Sequence, residues 1–188
     1  CREDSFAHEV CFQPHIVYLA NSSALKVGIT RLGQMPTRWL DQGATQALSI
    51  MKVGSRRLSG KLEIMFGTQV ADKTDWRKLL KGEAEPLNLL EAREQLVAEF
   101  APKIQTIRDE FSQNLEFNET VELLENELPR EFVYPVEQYP EKIKSLNLDK
   151  TPKIRGVLQG IKGQYLIFDI GVINIRKYTG RSEERRVG

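Results

Sequence analysis

Two short apolar runs near the start of the chain predict a β-hairpin. Residues 16–20 and 25–29 are rich in β-branched side chains, and the polar turn Asn21-Ser22-Ser23 separates them. Such a pair of runs around a short polar turn is typical of two antiparallel strands. A further apolar run over 47–53, which Gly54 closes, predicts a third strand.

Segments that are predicted to be helical alternate with these strands. Pro36 suits the first turn of a short helix that reaches about Gln42, where Gly43 is suited to end it. Ser55 is suited to cap the start of a helix that runs through Val70. The apolar stripe of that helix consists of Leu58, Leu62, Met65, Phe66 and Val70.

The remainder of the chain predicts helices and then strands. Helices are predicted over 72–80, 86–111 and 119–128, and Pro102 is expected to kink or split the second of them. From residue 154 the pattern alternates over 154–161, 164–168 and 172–178, with a Lys162-Gly163 turn. A three-stranded sheet of this size needs a cover for one face. A segment preceding Cys1 is the expected cover.

Composition narrows the class of protein. With 188 residues, 40% of them hydrophobic, the chain can bury one core, or one core and a small satellite. No apolar run approaches the roughly 20 residues that cross a bilayer, and no signal-peptide pattern is present. A soluble cytoplasmic protein without a membrane partner is therefore expected, and its oligomeric state stays open.

Charge is segregated along the chain. Between residues 23 and 61 there are seven cations and one anion, Asp41. Between 83 and 131 there are thirteen acids and four bases, and between 150 and 180 there are six bases and one acid, Asp169. Basic surfaces at both ends attract phosphate whatever the net charge is. A merely solvated acidic helix face is the alternative for the middle.

Both ends of the chain have unusual sequences. The chain begins at Cys1 rather than at methionine, so a preceding segment is expected. Residues 181–188 resemble the translation of a sequencing adapter and are left out of the fold prediction. They carry three arginines and two glutamates, which accounts for the net charge of +1.

Several residues in the first third of the chain suit phosphodiester chemistry. Tyr18, Lys26 and Arg38 offer a phenol, an amine and a guanidinium on the predicted hairpin and the helix behind it, and Glu63 adds a carboxylate. Hydrolysis of a phosphodiester needs a positioned water, a base for it and charge stabilisation at phosphorus. Each residue also has a packing or surface alternative, so their joint order and spacing carry the hypothesis.

This order resembles the GIY-YIG nuclease superfamily over about residues 16–70. Ile16-Val17-Tyr18 stands at the first motif tripeptide and Lys26-Val27-Gly28 at the second, with lysine where a tyrosine is usual. The resemblance implies that Tyr18 helps to activate water, that Arg38 binds the scissile phosphate and that Glu63 holds one divalent ion, Mg²⁺. Lys26 completes the expected catalytic set, and Lys26 and Arg38 are expected to lower the pKa of Tyr18. The expected substrate-binding residues are Gly28, Thr30, Arg31 and Trp39, with Asp41 and Gln42 near the same site.

Longer strings resemble a second family over nearly the whole chain. They are His15-Ile-Val-Tyr-Leu-Ala20, Lys26-Val-Gly-Ile-Thr-Arg31, Arg38-Trp-Leu-Asp-Gln-Gly-Ala44, Asp72-Lys-Thr-Asp-Trp76 and Gly160-Ile-Lys-Gly-Gln-Tyr-Leu166. These strings are similar to the bacterial family catalogued as domain of unknown function 2797. The resemblance names a family and implies no activity. Its members typically carry a cysteine-bearing segment upstream.

The cysteines raise the question of zinc. A disulfide is not expected in a cytoplasmic protein, and Cys1 and Cys11 alone cannot complete a tetrahedral zinc site. His8, His15 or cysteines upstream of the chain are candidate further ligands, and two ordinary cysteines are the alternative. The family resemblance favours a structural zinc site of which this chain holds a part.

Together these observations predict an α+β protein: a small GIY-YIG-like three-stranded sheet with helices, a helical middle and a β-rich C-terminal module. The predicted segments are 1–14 (partial cysteine-bearing segment), 15–82 (GIY-YIG-like core), 83–131 (acidic helical region), 132–180 (β-rich module) and 181–188 (adapter-derived tail). The predicted function is metal-dependent cleavage of nucleic acid. The alternatives are a non-catalytic nucleic-acid-binding module and a protein that binds a nucleotide or another small molecule.

Overall fold

Two antiparallel sheets and five helices make up the computed structural model, which describes residues 4–70, 75–112 and 120–178. The strands are β1 His15–Asn21, β2 Leu25–Arg31, β3 Gln46–Val53, β4 Val121–Leu123, β5 Arg130–Glu131, β6 Leu158–Lys162, β7 Tyr165–Phe168 and β8 Gly171–Asn174. The helices are α1 Asp4–Phe6, α2 Thr37–Asp41, α3 Arg56–Phe66, α4 Trp76–Leu79 and α5 Leu89–Ser112. A π-helical turn covers Ala7–Cys11, and 3-10 turns cover Leu32–Gln34 and Ile175–Tyr178. The α+β class is confirmed.

The predicted hairpin lies at the centre of the first sheet. β1 pairs with β2 on one side and with β3 on the other, both antiparallel, so the three predicted strands are confirmed. Every residue of β1 is buried because both faces of the sheet are covered. Val17 and Leu19 face the core formed with α3 and α5, whereas Tyr18 faces a smaller cluster around Trp39.

This sheet has five strands, so the expected three-stranded sheet is wrong. β4 and β5 both pair with β3. The helix predicted over 119–128 is also wrong for its described part, since Val121–Leu123 forms β4. The edge of β3 offers unpaired backbone groups, and Met51 lies opposite Leu123 in the ladder that satisfies them. This pairing overrides the helical preference of an acidic segment.

The predicted start of α3 fits the structure better than its predicted end. The Ser55 hydroxyl accepts a hydrogen bond from the Leu58 amide and caps α3 as expected. α3 ends at Phe66 rather than Val70, and the amides of Thr68 and Gln69 close tighter turns on the carbonyls three residues before them. α5 is not split by its internal proline, since Phe100 and Ile104 on either side of it both pack in the main core.

The second sheet has the order β6-β7-β8 and is antiparallel throughout, which confirms the predicted meander. Part of its cover comes from within the chain. Leu80, at the end of α4, packs against Ile167 and Val172, and Trp76 and Tyr139 join them. No helix of the described ranges is both long enough and apolar enough to cross a membrane.

Candidate functional site

One face of the β1–β2 hairpin gathers the chemistry-bearing residues. Tyr18 lies opposite Gly28, and Ala20 lies opposite Lys26. Because alternate residues of a strand point to the same face, Tyr18, Gly28 and Lys26 share this face. α2 covers it: the Trp39 ring meets the Tyr18 ring edge-on, with 5.9 Å between the centroids.

Gly28 provides the space that the Tyr18 ring occupies. A Cβ atom at position 28 would lie 2.6 Å from the Tyr18 hydroxyl oxygen and 2.7 Å from Cζ. No real side chain tolerates such a contact without a shift of its neighbours. The role of this glycine is therefore to let the ring cross the strand beside it.

Tyr18 is a buried phenol. Its side chain has no exposed surface, and its hydroxyl donates a hydrogen bond of 3.0 Å to Gln42 Oε1. Burial raises the pKa of Tyr18, and the charge and hydrogen bonding of Arg38 oppose this without overcoming it. The expectation that cations lower this pKa is therefore wrong, because desolvation of the phenolate outweighs them.

Lys26 is shifted in the opposite direction. Only 6% of Lys26 is exposed. Burial, followed by the positive charge of Arg38, lowers the pKa of Lys26 to about 8. A sizeable fraction of this amine is therefore neutral at mildly alkaline pH, as a proton acceptor must be.

Arg38 and Glu63 approach from two different helices. Arg38 lies on α2, and its charge acts on both Tyr18 and Lys26. Glu63 lies on α3, which packs against β1 and β2, and its negative charge raises the pKa of Tyr18. Both side chains are half-buried, so they have solvent access that Tyr18 lacks. The charge of Arg38 thus acts on both the phenol and the amine, and the charge of Glu63 acts on the phenol.

The family model described as a protein of unknown function, DUF2797, matches residues 1–182. The chain belongs to the DUF2797 family. The match includes every described strand and helix, and it confirms the family resemblance of the sequence. No curated protein and no solved structure matches the chain. The resemblance to GIY-YIG nucleases stays a prediction.

The four expected substrate-binding residues of this DUF2797 chain lie in different surroundings. Gly28 is beneath the Tyr18 ring, and Thr30 lies on the same face, opposite Ile16. Trp39 is only 1% exposed, and its Nε1 atom has no hydrogen-bond partner within the described part of the chain. Arg31 lies opposite His15 at the far end of the hairpin, on the face turned towards α3. The structure therefore brings three of these residues together and leaves Arg31 apart.

The predicted zinc ligands of the DUF2797 chain are only partly described. Cys1 lies outside the described residues, and Cys11 is half-buried in the π-helical turn. His15 is buried, and its Nδ1 atom lies 2.6 Å from the Gln13 carbonyl oxygen. Within the described ranges no three His, Cys, Asp or Glu side chains form a group that would hold a metal ion. A zinc site stays a prediction that depends on Cys1 or on ligands beyond it.

One residue beside the site gave no signal in the sequence. The Tyr134 hydroxyl lies 2.9 Å from the Ala44 carbonyl and 3.2 Å from the Leu40 carbonyl, at the end of α2. Ninety residues separate Tyr134 from Ala44, and no motif links them. Only the tertiary fold reveals this contact.

Proposed function

We propose that this chain is a metal-dependent phosphodiester hydrolase that acts on nucleic acid and has a GIY-YIG-like core. The observation that supports it is the electrostatic coupling among Tyr18, Lys26, Arg38 and Glu63. The charge of Arg38 acts on the first two, and the charge of Glu63 acts on Tyr18. A base, a cation for phosphate and a carboxylate for a divalent ion are what such a reaction requires.

The surroundings of each residue define its proposed role. Lys26 accepts the proton of the attacking water, because its pKa of about 8 leaves part of the amine neutral near physiological pH. Arg38 binds the scissile phosphate, since a guanidinium stays charged at any accessible pH. Tyr18 holds Gln42 by its hydrogen bond and so orders the site from beneath, because its raised pKa keeps it a phenol rather than a base.

Glu63 is the proposed ligand of the divalent ion. Mg²⁺ commonly takes one or two carboxylates from the protein and fills its other positions with waters and substrate phosphate oxygens. A single half-buried carboxylate whose charge acts on Tyr18, as that of Arg38 does, fits that donor set, although no larger group of acidic ligands occurs in the described residues. A bound ion would stabilise negative charge on the phosphate and lower the pKa of its water.

The test is a cleavage and binding screen with single- and double-stranded DNA and RNA, with Mg²⁺ present or chelated. Glu63→Gln is expected to abolish cleavage and to retain binding. The matched control, Glu94→Gln, changes an exposed acid of α5 and is expected to cleave normally. The wild-type rate is expected to rise with pH through about 8, the pKa of Lys26.

The full burial of Tyr18 favours one alternative, a non-catalytic nucleic-acid-binding module. In that module Lys26 and Arg38 hold phosphates and Glu63 binds no ion. Binding that persists without cleavage, for every substrate and metal tested, would replace the hydrolase by this module. If nucleic acid does not bind at all, the same four residues are proposed to bind a nucleotide or another small molecule instead.

A further inference from the structure

The turn that carries Gln42 is held by parts of the chain far away in sequence. This turn, residues 40–44, covers the end of α2 and the residues after it, and is here called the α2 turn. Its central residue, Gln42, accepts the hydrogen bond that the Tyr18 hydroxyl donates. The position of the α2 turn therefore decides whether the Tyr18 hydroxyl has its partner.

Tyr134 contacts the α2 turn at both ends. Its hydroxyl is 3.2 Å from the Leu40 carbonyl and 2.9 Å from the Ala44 carbonyl, so one hydroxyl bridges the residues on either side of Gln42. Burial raises the pKa of Tyr134 far above its usual value, which keeps the hydroxyl able to donate. Tyr134 thus links the two ends of the α2 turn.

Lys162 holds the ring of Tyr134 in place. Lys162 is fully buried on β6, and its ammonium lies 5.7 Å from the centre of the Tyr134 ring. The same ammonium donates a hydrogen bond of 2.8 Å to the Gly82 carbonyl. A buried cation that is fixed in this way keeps the aromatic ring beside it in one position.

Two further close approaches restrict the α2 turn from other directions. The turn between β6 and β7 is so close that a Cβ atom on Gly163 would lie 2.9 Å from the Asp41 carbonyl and from the Gly43 amide. On the other side, a Cβ atom on Gly43 would lie 2.9 Å from Leu79 of α4. The second sheet and α4 therefore enclose the α2 turn.

We propose that Tyr134 and the second sheet position the site: Tyr134 and Gly163 hold the α2 turn so that Gln42 receives the hydrogen bond of Tyr18. Tyr134 is accordingly a positioning residue, because it acts through the α2 turn that carries Gln42. The catalytic meaning of this arrangement rests on the proposed function, whereas the coupling between Tyr134 and Tyr18 does not.

The test measures that coupling without any cleavage assay. Replacing the five tyrosines by 3-fluorotyrosine gives five ¹⁹F signals in the whole chain, and Tyr18→Phe identifies the one from Tyr18. The titration midpoint of that signal is then followed in Gln42→Ala, in Tyr134→Phe and in the double variant. Both single variants are expected to move the midpoint in the same direction by about 0.5 pH unit or more, since each removes the hydrogen bond to Tyr18.

The double variant distinguishes positioning from a general loss of structure. It is expected to move the midpoint no further than Gln42→Ala does, because Tyr134 acts through Gln42. The control Tyr165→Phe changes a tyrosine of the second sheet that stacks on Trp76, and it is expected to leave the midpoint unchanged. If Tyr134→Phe does not fold, Gly163→Ala displaces the same turn and replaces it in the cycle.

Three results would overturn the inference. One is a Tyr134→Phe midpoint equal to that of the wild type while Gln42→Ala shifts it, and another is additive shifts in the double variant. An unchanged midpoint in Gln42→Ala would also overturn it, since the hydrogen bond between Tyr18 and Gln42 would then have no effect on the titration of Tyr18. Coupling without any cleavage of nucleic acid would leave this inference standing and refute the proposed function alone.

Discussion

Replacement of Gly28 by alanine tests how tightly the hairpin holds Tyr18. The added Cβ atom would lie 2.6 Å from the Tyr18 hydroxyl oxygen, 2.7 Å from Cζ and 3.0 Å from Cε2. Tyr18 cannot withdraw easily, because Trp39 packs against its ring and Gln42 holds its hydroxyl. The substitution therefore forces the ring or the strand to move.

The expected loss follows from two opposing effects. Overpacking of a close-packed core costs about 1–3 kcal/mol. Alanine in place of glycine within a strand returns about 0.5–1 kcal/mol, since it restricts the unfolded chain. We expect Gly28→Ala to lower the free energy of unfolding by about 1–2 kcal/mol. With a urea m-value of about 2 kcal/mol/M, the midpoint falls by about 0.5–1 M.

Urea denaturation followed by circular dichroism measures this change. The matched control is Gly33→Ala, since a Cβ atom on this exposed glycine meets nothing within 4 Å, and a change below about 0.5 kcal/mol is expected. Tyr18→Leu removes the ring atoms that clash, so the double variant should recover about 0.5–3 kcal/mol relative to additivity. Additive losses, or a Gly28→Ala loss no larger than that of Gly33→Ala, would refute the role assigned to this glycine.

Two further predictions concern pH. Burial lowers the pKa of Lys26 from 10.5 to about 8, so between these pH values the unfolded chain binds more protons than the folded chain and stability rises with pH. Below pH 8 the buried charge costs about 3 kcal/mol of stability. Lys26→Met should therefore raise the free energy of unfolding more at pH 7 than at pH 10, and equal gains in urea denaturation would contradict this. Burial also lowers the pKa of His15 below 6.5, so the unfolded chain binds more protons than the folded chain just below that pH, and stability falls as the pH drops. His15→Gln should flatten this decline in urea midpoints between pH 7.5 and 5. An unchanged slope would contradict the prediction, because it would mean that His15 binds protons equally in both states.

The parts of the fold that were predictable are those that local sequence determines. The hairpin follows from two β-rich runs around the polar turn at Asn21, and the start of α3 follows from the capping hydroxyl of Ser55. The segment at Val121 has no such local signal, since its alternation of apolar and acidic residues suits both a helix and a strand. Its conformation is decided by the open edge of β3, which is a long-range partner.

In the candidate site, too, the predictable features are local and the unpredictable ones depend on tertiary contacts. The residue types and their order were visible in the sequence, and strand register then places Tyr18 beside Gly28. The direction of the pKa shift of Tyr18 was not predictable, because it depends on burial beneath Trp39 and the α2 turn. The contact of Tyr134 with Ala44 was hidden for the same reason, since sequence patterns do not report contacts across 90 residues.

Burial has a further consequence for how Lys26 takes part in the proposed reaction. It moves the phenol of Tyr18 and the amine of Lys26 towards their neutral forms, which leaves Arg38 and Glu63 as the main charges of the site. A phosphate anion that enters beside Lys26 favours the ammonium and raises its pKa. Holding phosphate and accepting a proton are therefore competing states of one amine. In a binding module, an uncleavable oligonucleotide should raise the pKa of Lys26 well above 8, whereas a hydrolase must keep the amine low enough to accept a proton.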